Sequence, residues 1–303
     1  MEYVLQTKEV SKDFSGKLAV DHVSIQVRKG DIYGFIGENG AGKTTLMRMV
    51  CGLSEPSGGE LTLFGSQNLV SQRYRVGCTI ENPALYPAMT AMENMEVQRL
   101  LLGIKDKKVC GELLEIAGLN NTGNKKAKNF SLGMKQRLMI ALSLLGDPEF
   151  LVLDEPTNGL DPVGIKEVRD ILHQLNKDRG ITILISSHIL GELEKMATRY
   201  GVISNGKMVD EFQANELASR CGKNLVIHTD DPQGTENVIK DIFSDVQGTR
   251  TPENSVRIKG HVDDAGRINE QLVKAGIKVN ALIPEGDKLE DYFLKLMGGH
   301  KHA

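Results

Sequence analysis

Apolar and polar positions alternate over residues 3–10 and, more briefly, over 19–20 and 23–27. Alternation with a period of two buries every second side chain, so these stretches predict half-buried strands of a small antiparallel layer. The pattern then changes. Residues 31–36 form a short strand that runs into a glycine-rich stretch, and 44–50 carry the apolar spacing of a helix start. A turn at 55–60 and a strand at 61–65 follow. From about residue 90 to 146, apolar residues recur at i, i+3 and i+4 over 91–102, 107–117 and 134–145, which predicts an inserted helical subdomain. Continuous apolar runs at 150–153 and 181–185 have the pattern of strands buried on both faces of a parallel sheet, with an amphipathic helix over 162–179 between them. Past residue 221, strands at 225–227, 255–259 and 277–283 alternate with helices at 235–243, 263–275 and 287–297. In the last helix Leu289, Phe293, Leu296 and Met297 form one apolar stripe.

The glycine-rich stretch, residues 37–44 reading GENGAGKT, satisfies G-x-x-x-x-G-K-[ST] and stands where a strand becomes a helix. Gly37, Gly40 and Gly42 let successive N–H groups turn inward toward phosphate oxygens, and the helix N-terminus adds the positive end of its dipole. Lys43 is then expected to reach the β- and γ-phosphates and Thr44 to place its hydroxyl on Mg²⁺. The plain structural alternative, a glycine-rich turn with a solvated lysine, does not explain the strand–loop–helix order. Asp154 and Glu155 end the 150–153 strand. An acid at the carboxyl end of a buried strand beside a phosphate loop can hold Mg²⁺ through its water shell, and Glu155 is placed to orient and deprotonate an attacking water. Without the phosphate loop the same pair reads equally well as two solvated carboxylates. The expected fold class is α/β: a P-loop NTPase core with an antiparallel β subdomain and an inserted helical subdomain, plus a small C-terminal α/β domain. The division is expected at 1–220 and 221–303.

Composition removes whole classes of function. A net charge of -3 gives no basic field, so no nucleic-acid partner is expected. The longest apolar runs are strand-sized, well short of the ~20 residues that cross a bilayer. The N-terminus MEYVLQTKEV lacks the basic and apolar regions of a secretory signal, so the chain is expected in the cytosol. Cys51, Cys78, Cys110 and Cys221 are scattered without a C-x-x-C pair and are expected to be buried, reduced thiols. Phe14, by residue type, suits core packing better than stacking on a base.

Residues 130–137, FSLGMKQR, resemble the LSGGQ signature of ABC transporter ATPases, and 150–162, FLVLDEPTNGLDP, resemble the family's second nucleotide motif running into its D-loop. Ser187-His188 resembles the switch histidine, Phe14 the adenine-stacking aromatic, and Ile80-Glu81-Asn82-Pro83 occupies the Q-loop. These motifs fall in the family's order over about residues 1–220. The resemblance implies an ATPase that uses ATP and Mg²⁺. It implies a head-to-tail pair with a second ATPase subunit, a homodimer or a paralogue, under integral-membrane permease subunits, on the inner face of the cell membrane. It further implies that Phe14, Val20, Asn39, Gly40, Gly42, Lys43, Thr44 and Thr45 hold one nucleotide, and that Ser131 and Gly133 contact the γ-phosphate of the other subunit's. Thr44, Asp154 and Glu81 are implied at Mg²⁺, and Glu155 and His188 at the attacking water. Read as structure only, Ser131 is a helix N-cap, and both roles are expected of it.

In this family a coupling helix of the permease docks between the core and the helical subdomain, here near residues 81–100. Tyr86, Met89, Met92 and Met95 are candidate lining residues, with an ordinary core face as the alternative. Glu81 stands where Gln is usual, Leu132 where the first Gly is, and Met134 where the signature Gln is. These departures resemble a subgroup of bacterial exporters that confer resistance to bacitracin and lantibiotic peptides. Two alternatives stay open. A soluble ABC-type ATPase acting on ribosomes or DNA usually has twin ATPase domains or a long coiled-coil insertion, neither of which is present. A nucleotide-sensing module with little turnover is motivated by Glu81 and the altered signature. For residues 221–303, where 289–297 resemble the tail helix of such exporters, binding of a regulator or second subunit stands beside a purely stabilising extension.

Overall fold

The computed structural model describes residues 2–80, 85–188, 190–216, 223–243, 246, 248–251, 254–286, 292 and 293. Glu81, Cys221 and most of the helix expected at 287–297 lie outside the described residues. The chain divides into two compact units, Met1–Ala214 and Asn215–Ala303.

In the first unit a long strand, β1 (Tyr3–Phe14), pairs antiparallel with β2 (Lys17–Val23), β3 (Gln26–Arg28) and β5 (Gly58–Leu63). Ser15 and Gly16, both at positive φ, close β1 onto β2 in the tight turn that matches strand twist. The expected strand over 23–27 is interrupted. The Thr7 hydroxyl donates to Val23 O at 3.0 Å and accepts from Ile25 N at 2.9 Å, so a side chain takes the place of ladder bonds and separates β2 from β3.

The second layer is a six-stranded sheet in the order β10-β9-β4-β8-β7-β6. Its members are β4 (Ile32–Ile36), β6 (Val76–Thr79), β7 (Phe150–Leu153), β8 (Thr182–Ser187), β9 (Arg199–Ser204) and β10 (Lys207–Gln213). All neighbours run parallel except β10, which is antiparallel to β9. The strands β4, β7 and β8 are buried at every position, as their unbroken apolar runs require. The sequence pattern did not single out β6, β9 or β10, which are short or carry glycine and polar residues. Between the two sheets lies α1 (Lys43–Cys51), whose Leu46, Met47 and Val50 join Leu5, Val20, Phe35 and Val152 in one buried cluster.

The remaining helices of this unit are α2 (Leu69–Gln72), α3 (Ala91–Leu101), α4 (Lys108–Ile116), α5 (Leu132–Ser143), α6 (Pro162–Arg179) and α7 (Leu190–Leu193). Their starts follow local chemistry. Thr90 and Glu93 form a reciprocal capping box on α3, and Asp161 caps α6, which ends at Gly180 in the left-handed conformation. Ser131 accepts from Met134 N at 3.2 Å, so α5 begins at Leu132, two residues before the start expected from periodicity. Such caps contribute about 1 kcal/mol each. Met95 is fully buried, which corrects its place among groove-lining candidates, whereas Tyr86 and Met92 are exposed. The cysteines also depart from expectation: Cys110 is buried, Cys51 half-buried and Cys78 exposed.

The second unit runs β11 (Lys223–Thr229), α8 (Pro232–Ile242), β12 (Thr249–Thr251), β13 (Ser255–Lys259), α9 (Ala265–Lys274) and β14 (Val279–Gly286). Its antiparallel sheet has the order β12-β13-β11-β14, the split β-α-β-β-α-β arrangement. Leu225, Ile227, Val256 and Ile258 meet Ile239, Ile268 and Leu272 of the two helices in a core of its own. The three-residue β12 is too short for a hydrophobic pattern to mark. Helix α8 starts earlier than expected because Asp231 accepts from Gly234 N at 2.9 Å and Pro232 suits the first turn.

One contact in the main sheet is unforgiving. Tyr33 is fully buried over Gly201, and its hydroxyl donates to Glu211 at 3.0 Å. Burial, reinforced by the Glu211 charge, pushes the phenol well above its ordinary range, so it stays a neutral donor. A Cβ on Gly201 would overlap the Tyr33 ring. Gly201→Ala is expected to destabilise the first unit by about 1–3 kcal/mol, read as a lower thermal midpoint; an unchanged midpoint would mean that the ring is not held.

Candidate active site

The order of three adjacent strands builds the site. β8 lies between β4 and β7, in parallel register with Ile36 opposite Ser187 and Leu153 opposite Ile185. The carboxyl ends of these strands therefore deliver residues 37–44, 186–188 and 154–155 to one edge of the sheet, where α/β proteins of this architecture bind ligands.

The loop after β4 is crowded at its two ends, Gly37 and Gly42. Gly40 and Gly42 hold φ of 81° and 110°, and a Cβ on Gly42 or Gly37 would run into the carbonyl of Ala19 or Ile203. Gly42 is the N-cap of α1 and offers no capping side chain, which leaves backbone N–H groups at that helix start for an anion. Lys43, only 5% exposed, donates to the carbonyls of Gly37 at 2.6 Å and Glu38 at 3.1 Å. Its Nζ is also 3.6 Å from Glu155 Oε1.

Two carboxylates complete the edge. Asp154 is buried, and each of its oxygens accepts one hydroxyl: Thr44 Oγ1 donates to Oδ2 at 2.7 Å and Ser186 Oγ to Oδ1 at 2.6 Å. Glu155 leaves the strand at φ 50°, a left-handed conformation that a non-glycine residue holds only under constraint. Its N–H donates to Ser186 Oγ at 2.8 Å and its Oε2 lies 2.7 Å from His188 Nδ1. Its Oε1 is buried, has no hydrogen-bond partner among the described residues, and faces the Lys43 ammonium at 3.6 Å.

The donor set fits the groups that the sequence implies. A threonine hydroxyl beside a carboxylate is the hard-oxygen chemistry that suits Mg²⁺, and a glycine cradle on a helix N-terminus with a buried lysine suits a polyphosphate. Lys43, Thr44, Asp154, Glu155 and His188 are brought together by direct contacts. Asn39 and Gly40 are exposed on the loop and Thr45 is half-buried in the first turn of α1. Phe14, 51% exposed at the end of β1, presents its ring with Lys12 Nζ 5.2 Å from the centroid, against the core packing expected from residue type alone. Val20 differs from the expectation of direct contact: it is fully buried beneath the loop against Gly42 and supports the cradle from below. Ser131 and Gly133 are not part of this cluster and stand at the start of α5, where Gly133 faces Gly164 and Leu160. Sequence reasoning passed over Ser186, whose only signal was a hydroxyl closing a buried apolar strand.

Comparison with known proteins agrees with this geometry. Residues 20–158 match the ABC transporter family. The bacitracin transport ATP-binding protein BcrA of Bacillus licheniformis is 42% identical over 303 residues, covering 99% of each chain. The lantibiotic transport ATP-binding protein SrtF of Streptococcus pyogenes is 41% identical over 226 residues, 74% of this chain and 98% of that one. Among solved structures, cbiO1 of Clostridium perfringens, part of the ABC transporter complex cbiONQ, superposes with a TM-score of 0.65 at 25% identity, covering 72% of this chain and 92% of that one. With a relative this similar along its whole length and a catalytic edge built from the expected motifs, the chain belongs to the ABC transporter family as an ATP-binding, ATP-hydrolysing subunit.

Proposed function

We propose that this subunit powers the export of peptide antibiotics of the bacitracin or lantibiotic class, working on the cytoplasmic face of the membrane beneath separate permease subunits. The substrate class is supported by the full-length similarity to a bacitracin transport protein and by the similarity to a lantibiotic transport protein. The hydrolytic reading is carried by one observation: the Glu155 carboxylate lies between Lys43 and His188, one residue from an Asp154 that is tied to the Thr44 hydroxyl. Met1–Ala214 serves as the ATP-binding domain and Asn215–Ala303 as an accessory domain.

In this reading Lys43 exchanges its bonds to Gly37 and Glu38 carbonyls for phosphate oxygens, so little is lost on desolvating an ammonium that is already buried. Loop N–H groups and the α1 N-terminus bind the remaining phosphate charge. Thr44 and Asp154 are the residues that would hold Mg²⁺, which when bound neutralises charge developing on the transferred phosphoryl group. Glu155 takes the proton of the attacking water on the oxygen that Lys43 leaves when it turns to phosphate, while His188 holds the carboxylate by Oε2. Phe14 stacks on the base, with Asn39 and Thr45 at the phosphates. Ser131 and the Gly133 amide, at the N-terminus of α5, meet the γ-phosphate bound by a second ATPase subunit.

Coupling to the permease uses the groove of about 400 Å³ between edge strand β6 and helices α3 and α5, lined by Tyr74, Cys78, Gln98, Leu102, Met139 and Leu142. Of these, Tyr74 is 81% and Leu102 48% exposed, so apolar surface is available there for a helix. No helix among the described residues is long and apolar enough to cross a membrane, so the translocation path must come from other chains in this reading.

Glu155→Gln is expected to keep ATP binding, to lower turnover by at least ~100-fold and to accumulate an ATP-bound dimer, measured by phosphate release and light scattering. Unchanged turnover would remove Glu155 as the base. For Lys43→Ala, loss of charge-assisted bonds is expected to weaken nucleotide binding about 10- to 100-fold by calorimetry, and wild-type affinity would contradict the phosphate-loop role. Capture of the tagged Glu155→Gln protein with ATP from detergent-solubilised source membranes is expected to retain a multi-span permease. Recovery of ribosomal or DNA-bound material without a permease would favour a soluble ABC-type ATPase instead.

A further inference from the structure

We infer that Ser186 is a positioning residue of the hydrolytic centre, with one hydroxyl setting both the carboxylate of Asp154 and the backbone of Glu155. The inference rests on the roles proposed above for those two acids. Ser186 lies on β8 with no exposure to solvent. A serine hydroxyl has one proton and two lone pairs. Its proton goes to Asp154 Oδ1 at 2.6 Å, and a lone pair receives the Glu155 N–H at 2.8 Å. Thus a single side chain touches both members of the acidic pair.

Each contact answers a specific need. Rotation of an Asp carboxylate about its last torsion is broad and roughly two-fold, so burial alone does not aim it. With Oδ1 held by Ser186, Oδ2 is directed at the Thr44 hydroxyl, 2.7 Å away. Mg²⁺ demands near-octahedral geometry, so this aim controls how well the pair of oxygens serves as a ligand set. The second contact concerns the chain. Asp154 N–H still donates to Thr79 O at 2.8 Å, as a sheet residue does, whereas Glu155 has left the sheet at φ 50°. Its N–H has lost its ladder partner and Ser186 replaces it, holding the strained residue from the backbone side. On the side-chain side His188, two residues further along the same chain as Ser186, holds Oε2. Segment 186–188 therefore grips Glu155 at both ends, and Ser186 links that grip to the metal-binding carboxylate.

A satisfied core hydroxyl with no part in the chemistry would give the same distances, and the two roles separate by experiment. Thr182 supplies the control: it is equally buried on β8, and its hydroxyl accepts from Gly30 N at 3.0 Å, at the opposite end of the strand. In the full chain, affinity for ADP is measured by calorimetry with and without Mg²⁺, alongside steady-state turnover and thermal midpoint. For Ser186→Ala the gain in affinity conferred by Mg²⁺ is expected to shrink about 10-fold or more, and kcat to fall about 10- to 100-fold, with affinity in the absence of Mg²⁺ unchanged. Thr182→Val is expected to lower the midpoint and leave the Mg²⁺ gain intact. Ser186→Thr keeps the hydroxyl and is expected to retain the wild-type Mg²⁺ gain, so it reports even where the alanine variant does not fold. A wild-type Mg²⁺ gain in Ser186→Ala, or a diminished one in folded Ser186→Thr, overturns the proposal. Glu155→Gln runs in parallel. If it keeps wild-type turnover, the assignment of the acids falls and this inference with it, whereas its loss beside a wild-type Ser186→Ala overturns the inference alone.

Discussion

Everything at the catalytic edge depends on β8 lying between β4 and β7 in parallel register. The phosphate loop at 37–44 lies more than a hundred residues ahead of the acidic pair at 154–155, and the histidine at 188 lies further along again. Strand pairing brings them together before any side chain is considered, because parallel strands end on the same side. The core then makes the arrangement rigid. Phe35, Val152 and Leu184 from the three strands pack with Leu46 and Met47 of α1, so the helix that follows the loop is clamped in the same cluster that holds the sheet.

Polar groups at the edge are bound to one another in a closed chain. Lys43 contacts the loop carbonyls and Glu155, Glu155 contacts His188 and Ser186, Ser186 contacts Asp154, and Asp154 contacts Thr44, which follows Lys43. The strength of groups linked in this way lies in mutual orientation rather than in any single pair.

The helical subdomain is held by different means. Thr90 and Glu93 cap α3 reciprocally, Asn94 bonds the backbone of Tyr86 and Thr90 from a buried position, and buried Arg99 pairs with Glu96 at 2.8 Å. These contacts are local in sequence. They fix the start and the end of α3, where Leu100, Leu101 and Leu102 are exposed. The second unit has a core of its own around Leu225, Ile227 and Ile268.

By itself the sequence determined whatever is local or periodic. The glycine cradle followed from Gly40, Gly42 and Lys43, because only glycine tolerates those backbone angles. The buried strands β4, β7 and β8 followed from unbroken apolar runs, and the helices from apolar spacing, with Ser131 as a cap on α5. Family motifs named Asp154, Glu155 and His188 in advance of any geometry. Tertiary structure decided what depends on partners distant in the chain. Strands β6, β9, β10 and β12 are too short or too polar to announce themselves and exist because a neighbour supplies their hydrogen bonds. Thr7 splits β2 from β3 only once β1 lies beside them, and Val20 turns out to support the loop from within the core. Ser186 shows the difference most plainly: its residue type and place in an apolar strand say little, and its contacts appear only when β8 sets its hydroxyl beside the two acids that follow β7.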